Sequence, residues 1–148
     1  MLAAIRPDAW NLPLFLHVLG AVLTFGATAA VAVLAFAGRP ETDRALWLRR
    51  LAFTVGLAVL VPAWILMRVA AQWVDDKEFP GGHEPGWVGV GFIVSEGGLL
   101  LIVVMLILAW LSRRRLESRA AAVVPWLASF YLVALGAAWF AMSGKPGS

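Results

Sequence analysis

Residues 9–38 read AWNLPLFLHVLGAVLTFGATAAVAVLAFAG, an unbroken run without Asp, Glu, Lys or Arg. About 20 apolar residues in α-helical form cross a bilayer core, so this stretch decides the fold class. Working outward, residues 51–67 are also free of charge, and the run resumes past Arg68 to Val74. Residues 97–112 and 120–144 repeat the pattern. Four spans follow, at about 11–37, 49–74, 87–112 and 120–142. Hydrophobic residues make up 61% of the 148, and the mean hydropathy is +0.84, too apolar for a soluble domain of this size. The expected fold is an all-α four-helix transmembrane bundle, with residues 1–148 as a single integral membrane domain. The first run is much longer than the apolar region of a signal peptide and is read as a retained helix. Pro13 falls in its first turn, where proline is tolerated. Pro62 falls inside span two, where it removes a backbone donor and is expected to bend the helix.

The net charge of +3 is unevenly spread. Arg39, Arg44, Arg49 and Arg50 cluster at the first connection, and Arg113, Arg114, Arg115 and Arg119 at the third. The second connection holds Lys77 against Asp75, Asp76, Glu78 and Glu84. Excess Lys and Arg marks cytoplasmic loops, so connections one and three are expected inside, with both termini and connection two outside. Tryptophans agree: Trp10, Trp73, Trp87 and Trp139 fall at one expected interface, Trp47 and Trp110 at the other. Arginines in this arrangement set topology and touch anionic lipid; no nucleic-acid partner is expected. A multi-pass protein of the plasma (inner) membrane is the expected setting, with the lipid bilayer as its first partner.

Three polar side chains interrupt the apolar spans: His17, Arg68 and Glu96. At about 1.5 Å of rise per residue they lie about 10, 9 and 13 Å below the outer interface. Ionisable groups at such depths are paired, face a cavity, or both. His17 shares a face with Gly20, Thr24 and Thr28, small residues that let helices approach closely in lipid. Arg68 shares a stripe with Trp64 and Gln72. Glu96 sits among Gly89, Gly91, Ser95, Gly97 and Gly98. Three readings remain open for this cluster: an Arg68–Glu96 pair that locks spans two and three, a polar cavity open to the outside, or an interface to another subunit. In the cavity reading His17 is a candidate metal or haem ligand or a proton relay, and Glu96 a proton or cation carrier.

Asp75, Asp76, Glu78, His83 and Glu84 form a second candidate, an outer-loop cation site, although their spacing matches no defined metal motif. The absence of cysteine excludes disulfides, thiolate metal sites and cysteine catalysis, and with two histidines a conventional catalytic triad is not expected. No phosphate-binding glycine loop, zinc-protease histidine pair or nucleophile elbow is present. The balance of the sequence leans away from an enzyme.

The string Leu16-His17-Val18-Leu19-Gly20-Ala21-Val22-Leu23, with Phe25-Gly26 behind it, resembles the opening helix of an uncharacterised family of four-helix bacterial integral membrane proteins. More distantly it is similar to copper-resistance D-type proteins and to the membrane protoporphyrinogen oxidase of haem synthesis. The resemblance covers about one helix of the four. It implies a bacterial inner-membrane protein in which His17 serves copper or haem. A bis-histidine haem would then need its second ligand from His83 or from a second subunit. Metal or haem binding, or ion handling, at the outer polar layer is therefore the leading functional expectation. Proton-coupled or ion transport as a homodimer, and a non-catalytic structural or assembly subunit of a membrane complex, are the alternatives.

Overall fold

The structure, a computed structural model, describes residues 11–78 and 86–144. Four helices are long and apolar enough to cross a membrane: α1 (Asn11–Ala37), α2 (Ala45–Glu78), α3 (Gly86–Ser112) and α4 (Arg119–Gly144). No strand occurs among the described residues. The bundle has an arginine-rich end, where α1 passes to α2 and α3 to α4, and an acidic end, where α2 closes on Asp75, Asp76 and Glu78.

Three of the four spans match expectation closely; α2 is longer at both ends. It begins at Ala45, after Arg44, whose side chain makes no capping hydrogen bond. Backbone turns from Ala45 N–H to Thr42 O (2.9 Å) and Thr42 N–H to Arg39 O (3.1 Å) close the connection instead. At the other end α2 continues through Asp75, Asp76, Lys77 and Glu78, which were expected in a loop. The Gln72 amide donates to Asp76 Oδ1 one turn on at 3.1 Å, and Lys77 complements the carbonyl end of the helix dipole.

Pro62 does not break α2. Residues Gly56–Leu60 form a π turn in which the Val61 N–H donates to Gly56 O, five residues back. Proline lacks an N–H and crowds the carbonyl four residues earlier. A widened turn just ahead of Pro62 relieves that crowding and keeps the helix continuous.

Close approach of backbones sets the pairing. A Cβ added at Gly20 would lie 2.5 Å from the Met67 backbone nitrogen, so α1 and α2 touch there through glycine alone. On the other side Gly98 accommodates the Tyr131 ring, and Gly91 the end of Met142, joining α3 to α4. The expected inward face of α1 is confirmed: Gly20, Thr24 and Thr28 are buried, and the Thr28 hydroxyl donates to Thr24 O at 2.7 Å. Toward the arginine end the two hairpins converge on a core of Val31, Leu60, Ile102, Met105, Val124, Ala128 and Tyr131. Toward the acidic end they diverge: the part of α2 beyond the π turn lies along α1 and meets α3 only lightly.

Arg49 seals the convergent end. Expected in the sequence as one of the topology-setting arginines, it sits inside α2 and is 4% exposed. Its Nε donates to Gly38 O at 2.7 Å, and one terminal nitrogen donates to Arg115 O (2.6 Å) and Leu116 O (2.8 Å). One side chain thus ties the first connection to the third. The remaining arginines keep to the periphery; Arg113 lies over Phe53 and Trp110, 4.8 and 5.5 Å from the ring centroids.

Candidate functional site

Where the hairpins diverge, a cavity of about 410 Å³ opens in the acidic half of the bundle, with walls from all four helices. Its lining is mostly apolar: Val18, Val22 and Phe25 from α1, Val94 from α3, Leu135 and Ala138 from α4. Polar groups enter at few points. His17, Arg68 and Ser95 line it, and Asp75, Lys77 and Glu78 stand at its acidic end. Its volume lies in the range of small-molecule sites, which are apolar clefts with a few placed polar groups.

His17 is oriented by the backbone of α2. Its Nδ1 lies 3.1 Å from Met67 O. A carbonyl only accepts, so Nδ1 carries the hydrogen in this contact and the lone pair of the neutral ring resides on Nε2. The same fixing of one ring nitrogen by a carbonyl orients metal-bound histidines. Gly20 makes this contact reachable, because it brings α1 against Met67 one turn beyond His17.

Arg68 and Glu96 form the pair that their depths suggested. The Arg68 Nε donates to Glu96 Oε1 at 2.6 Å. A terminal guanidinium nitrogen donates to Gln72 Oε1 at 3.1 Å, and the guanidinium lies 4.8 Å from the Phe92 ring centroid. Ion pairing and cation–π contact both offset the roughly 2.5–3.5 kcal/mol that an ionised group costs within the apolar layer. The stripe Trp64–Arg68–Gln72 therefore faces α3. Its first member donates its indole N–H to Ser95 O at 3.1 Å.

The trio is not one cluster. His17 bonds the backbone of the residue before Arg68, and no hydrogen bond links it to Arg68 or Glu96. Glu96 does not line the cavity; its side chain is 55% exposed on the outer face of the bundle, against 25% for Arg68. The expected layer is thus divided between an inner wall, with His17 and Arg68, and an outer seam, with Arg68 and Glu96.

The second candidate set is also divided. Asp75, Asp76 and Glu78 are helical, and no group of three His or acidic residues fit to hold a metal forms among the described residues. His83 and Glu84 lie outside the described residues. Three participants were not assigned to the site from the sequence. Ser95 is buried, lines the cavity, and its Oγ has no hydrogen-bond partner. Met67 and Met142, dispersed in sequence, line the same cavity as His17. Gly91 and Gly98, spaced to share the inner face of α3 with Ser95, were the available signal for that serine; nothing in the spacing of Met67 and Met142 signals their meeting.

Fold and site together define a four-helix, multi-pass membrane protein with an intramembrane cavity. No protein-family model, curated protein or solved structure matches the chain.

Proposed function

We propose that this protein binds an amphipathic small molecule from the surrounding bilayer in the cavity between its two hairpins. The carrying observation is the composition of that cavity: an apolar chamber of about 410 Å³ into which the buried, unpartnered hydroxyl of Ser95 enters. The polar end of the ligand is placed against Ser95, His17 Nε2 and Arg68, and its apolar body along Val18, Val22, Phe25 and Leu135. Because Glu96 neutralises Arg68, the site favours a hydrogen-bonding head over a full counter-charge. Binding is favoured over conduction because the cavity gives way to the packed core around Leu60, Ile102 and Tyr131. Glu96 is a less suitable proton carrier than its sequence position suggested, since it is engaged by Arg68 away from the cavity.

The arginine distribution supports an orientation with the acidic end and both termini outside and the Arg49-sealed end in the cytoplasm. With the family resemblance of the first helix, it supports a bacterial inner membrane as the location.

A second reading rests on the donor set. A histidine whose Nδ1 is already engaged, with the thioethers of Met67 and Met142 lining the same chamber, suits a soft cation such as cuprous copper, or haem iron held by a histidine and a methionine. One preparation separates the two. The protein is purified in mild detergent, its absorption spectrum and metal content are recorded, and its organic extract is examined by mass spectrometry. A colourless, metal-free protein that retains a stoichiometric lipid-like compound, lost in Ser95→Leu and His17→Phe, supports the amphipathic ligand. A Soret band or bound copper, lost in His17→Ala, replaces it with the second reading. A protein that carries neither, and whose thermal midpoint responds to no isoprenoid quinone, fatty acid, haem or copper, refutes both.

A further inference from the structure

Glu96 and Arg68 make a salt bridge on the outer face of the bundle, not inside it. Their side chains are 55% and 25% exposed, in the part of the molecule where neighbouring outward residues are Val69, Ile93 and Leu100, 62%, 74% and 70% exposed. Gly97, next to Glu96, has open space where a side chain would stand. Gln72 and Asp76 extend the polar seam toward the acidic end. Hydrocarbon does not solvate such a seam.

We propose that a second copy of this chain covers it, related by a two-fold axis along the membrane normal beside the α2–α3 seam. The argument is charge complementarity. A bonded pair places Arg68 and Glu96 side by side at one depth. Rotation by 180° about a vertical axis sets the Glu96 of one copy opposite the Arg68 of the other, and the reverse. The seam is therefore self-complementary, as an isologous contact requires. Each carboxylate gains a second guanidinium, while Ile93 and Leu100 meet their counterparts around the quartet. Gly97 lets the two α3 helices approach, as small residues do at helix contacts in lipid. Arg68 also lines the cavity, but Glu96 and Gly97 do not, so variants at those two positions test the dimer separately from the cavity ligand.

The chain has no cysteine, so single-cysteine variants report cleanly. Full-length protein is reconstituted at high dilution in phosphatidylcholine bilayers, and its stoichiometry is counted by single-molecule photobleaching. A dimer is expected. Arg68→Glu and Glu96→Arg should each lower the dimer fraction at least tenfold, and the double exchange should restore it. Ile93→Cys should form a disulfide-linked dimer on oxidation, while Phe140→Cys on α4 should not. Gly97→Phe, which leaves every charge in place, should also give monomers, and its unchanged thermal midpoint would separate lost dimerisation from lost folding. A monomer in the wild type, a dimer indifferent to both charge reversals and Gly97→Phe, cross-linking through Phe140→Cys instead of Ile93→Cys, or a monomer that retains bound phospholipid at the seam each overturns the proposal.

Discussion

Arg49 shows how much one buried guanidinium organises. Its forked donors meet three carbonyls from two connections, and none of those carbonyls has another side-chain donor among the hydrogen bonds described above. Arg49→Met keeps much of the volume and removes all three bonds. It should destabilise the bundle by about 3 kcal/mol, since hydrogen bonds to charged groups are worth roughly 1.5–3 kcal/mol each and do not add fully. Arg49→Lys retains the charge but not the planar fork, and should recover less than half of the loss. Thermal unfolding in detergent measures both; Arg50→Met, at an exposed neighbour, is the control. This role could not be read from sequence. The partners of Arg49 are backbone carbonyls, which every residue possesses, so no spacing or residue type announces them. His17 is the opposite case: its face was legible from Gly20, Thr24 and Thr28, whereas its carbonyl partner was not.

The glycines of α1 separate packing from propensity at the level of the helix. Gly20→Ala adds a Cβ 2.5 Å from a backbone nitrogen, an atom that cannot yield without moving α2. A loss of about 1–3 kcal/mol is expected, in the range for overpacked cores. Gly26→Ala meets nothing within 4 Å and should be neutral or slightly stabilising, because alanine favours helix over glycine. Unfolding midpoints of the two variants test this contrast directly. Helix α2 carries a different device. Its π turn accommodates an extra residue, and each helical residue advances the chain by about 100°. Deleting Ala58 should return the segment to a regular helix with Arg68 still facing Glu96, whereas inserting an alanine after Ala63, beyond the π turn, should swing Arg68 away by about 100°. A double-mutant cycle on Arg68 and Glu96 should then show coupling in the parent and in the deletion background, and none in the insertion background. Hydropathy marked Pro62 as an irregularity but gave no means of choosing between a kink and a widened turn, because that choice depends on what α1 and α3 press against the bend.

At the scale of the molecule, the four spans were legible because the bilayer demands length and apolarity that few other settings require. That His17, Arg68 and Glu96 lie at one level of the bundle was legible as well, because helical rise is constant. Rotation of each helix about its axis was not. Depth alone put His17, Arg68 and Glu96 together, and only the packing of α1 on α2 through Gly20, and of α3 on α4 through Gly98, sends His17 inward and Glu96 outward. The two hairpins are stapled at one end and spread at the other, and the staple has a consequence for synthesis. Arg49 is translated and threaded into its helix long before Arg115 and Leu116 exist. Until the third connection emerges, the nascent first hairpin can offer its guanidinium only Gly38 O. Residues 1–78 expressed alone should therefore be cleared rapidly by membrane proteases, and co-expression of residues 79–148 as a separate chain should lengthen their lifetime in a pulse–chase measurement. Replacing Arg49 by Met should abolish that rescue, making the arginine a checkpoint that certifies the arrival of the second half.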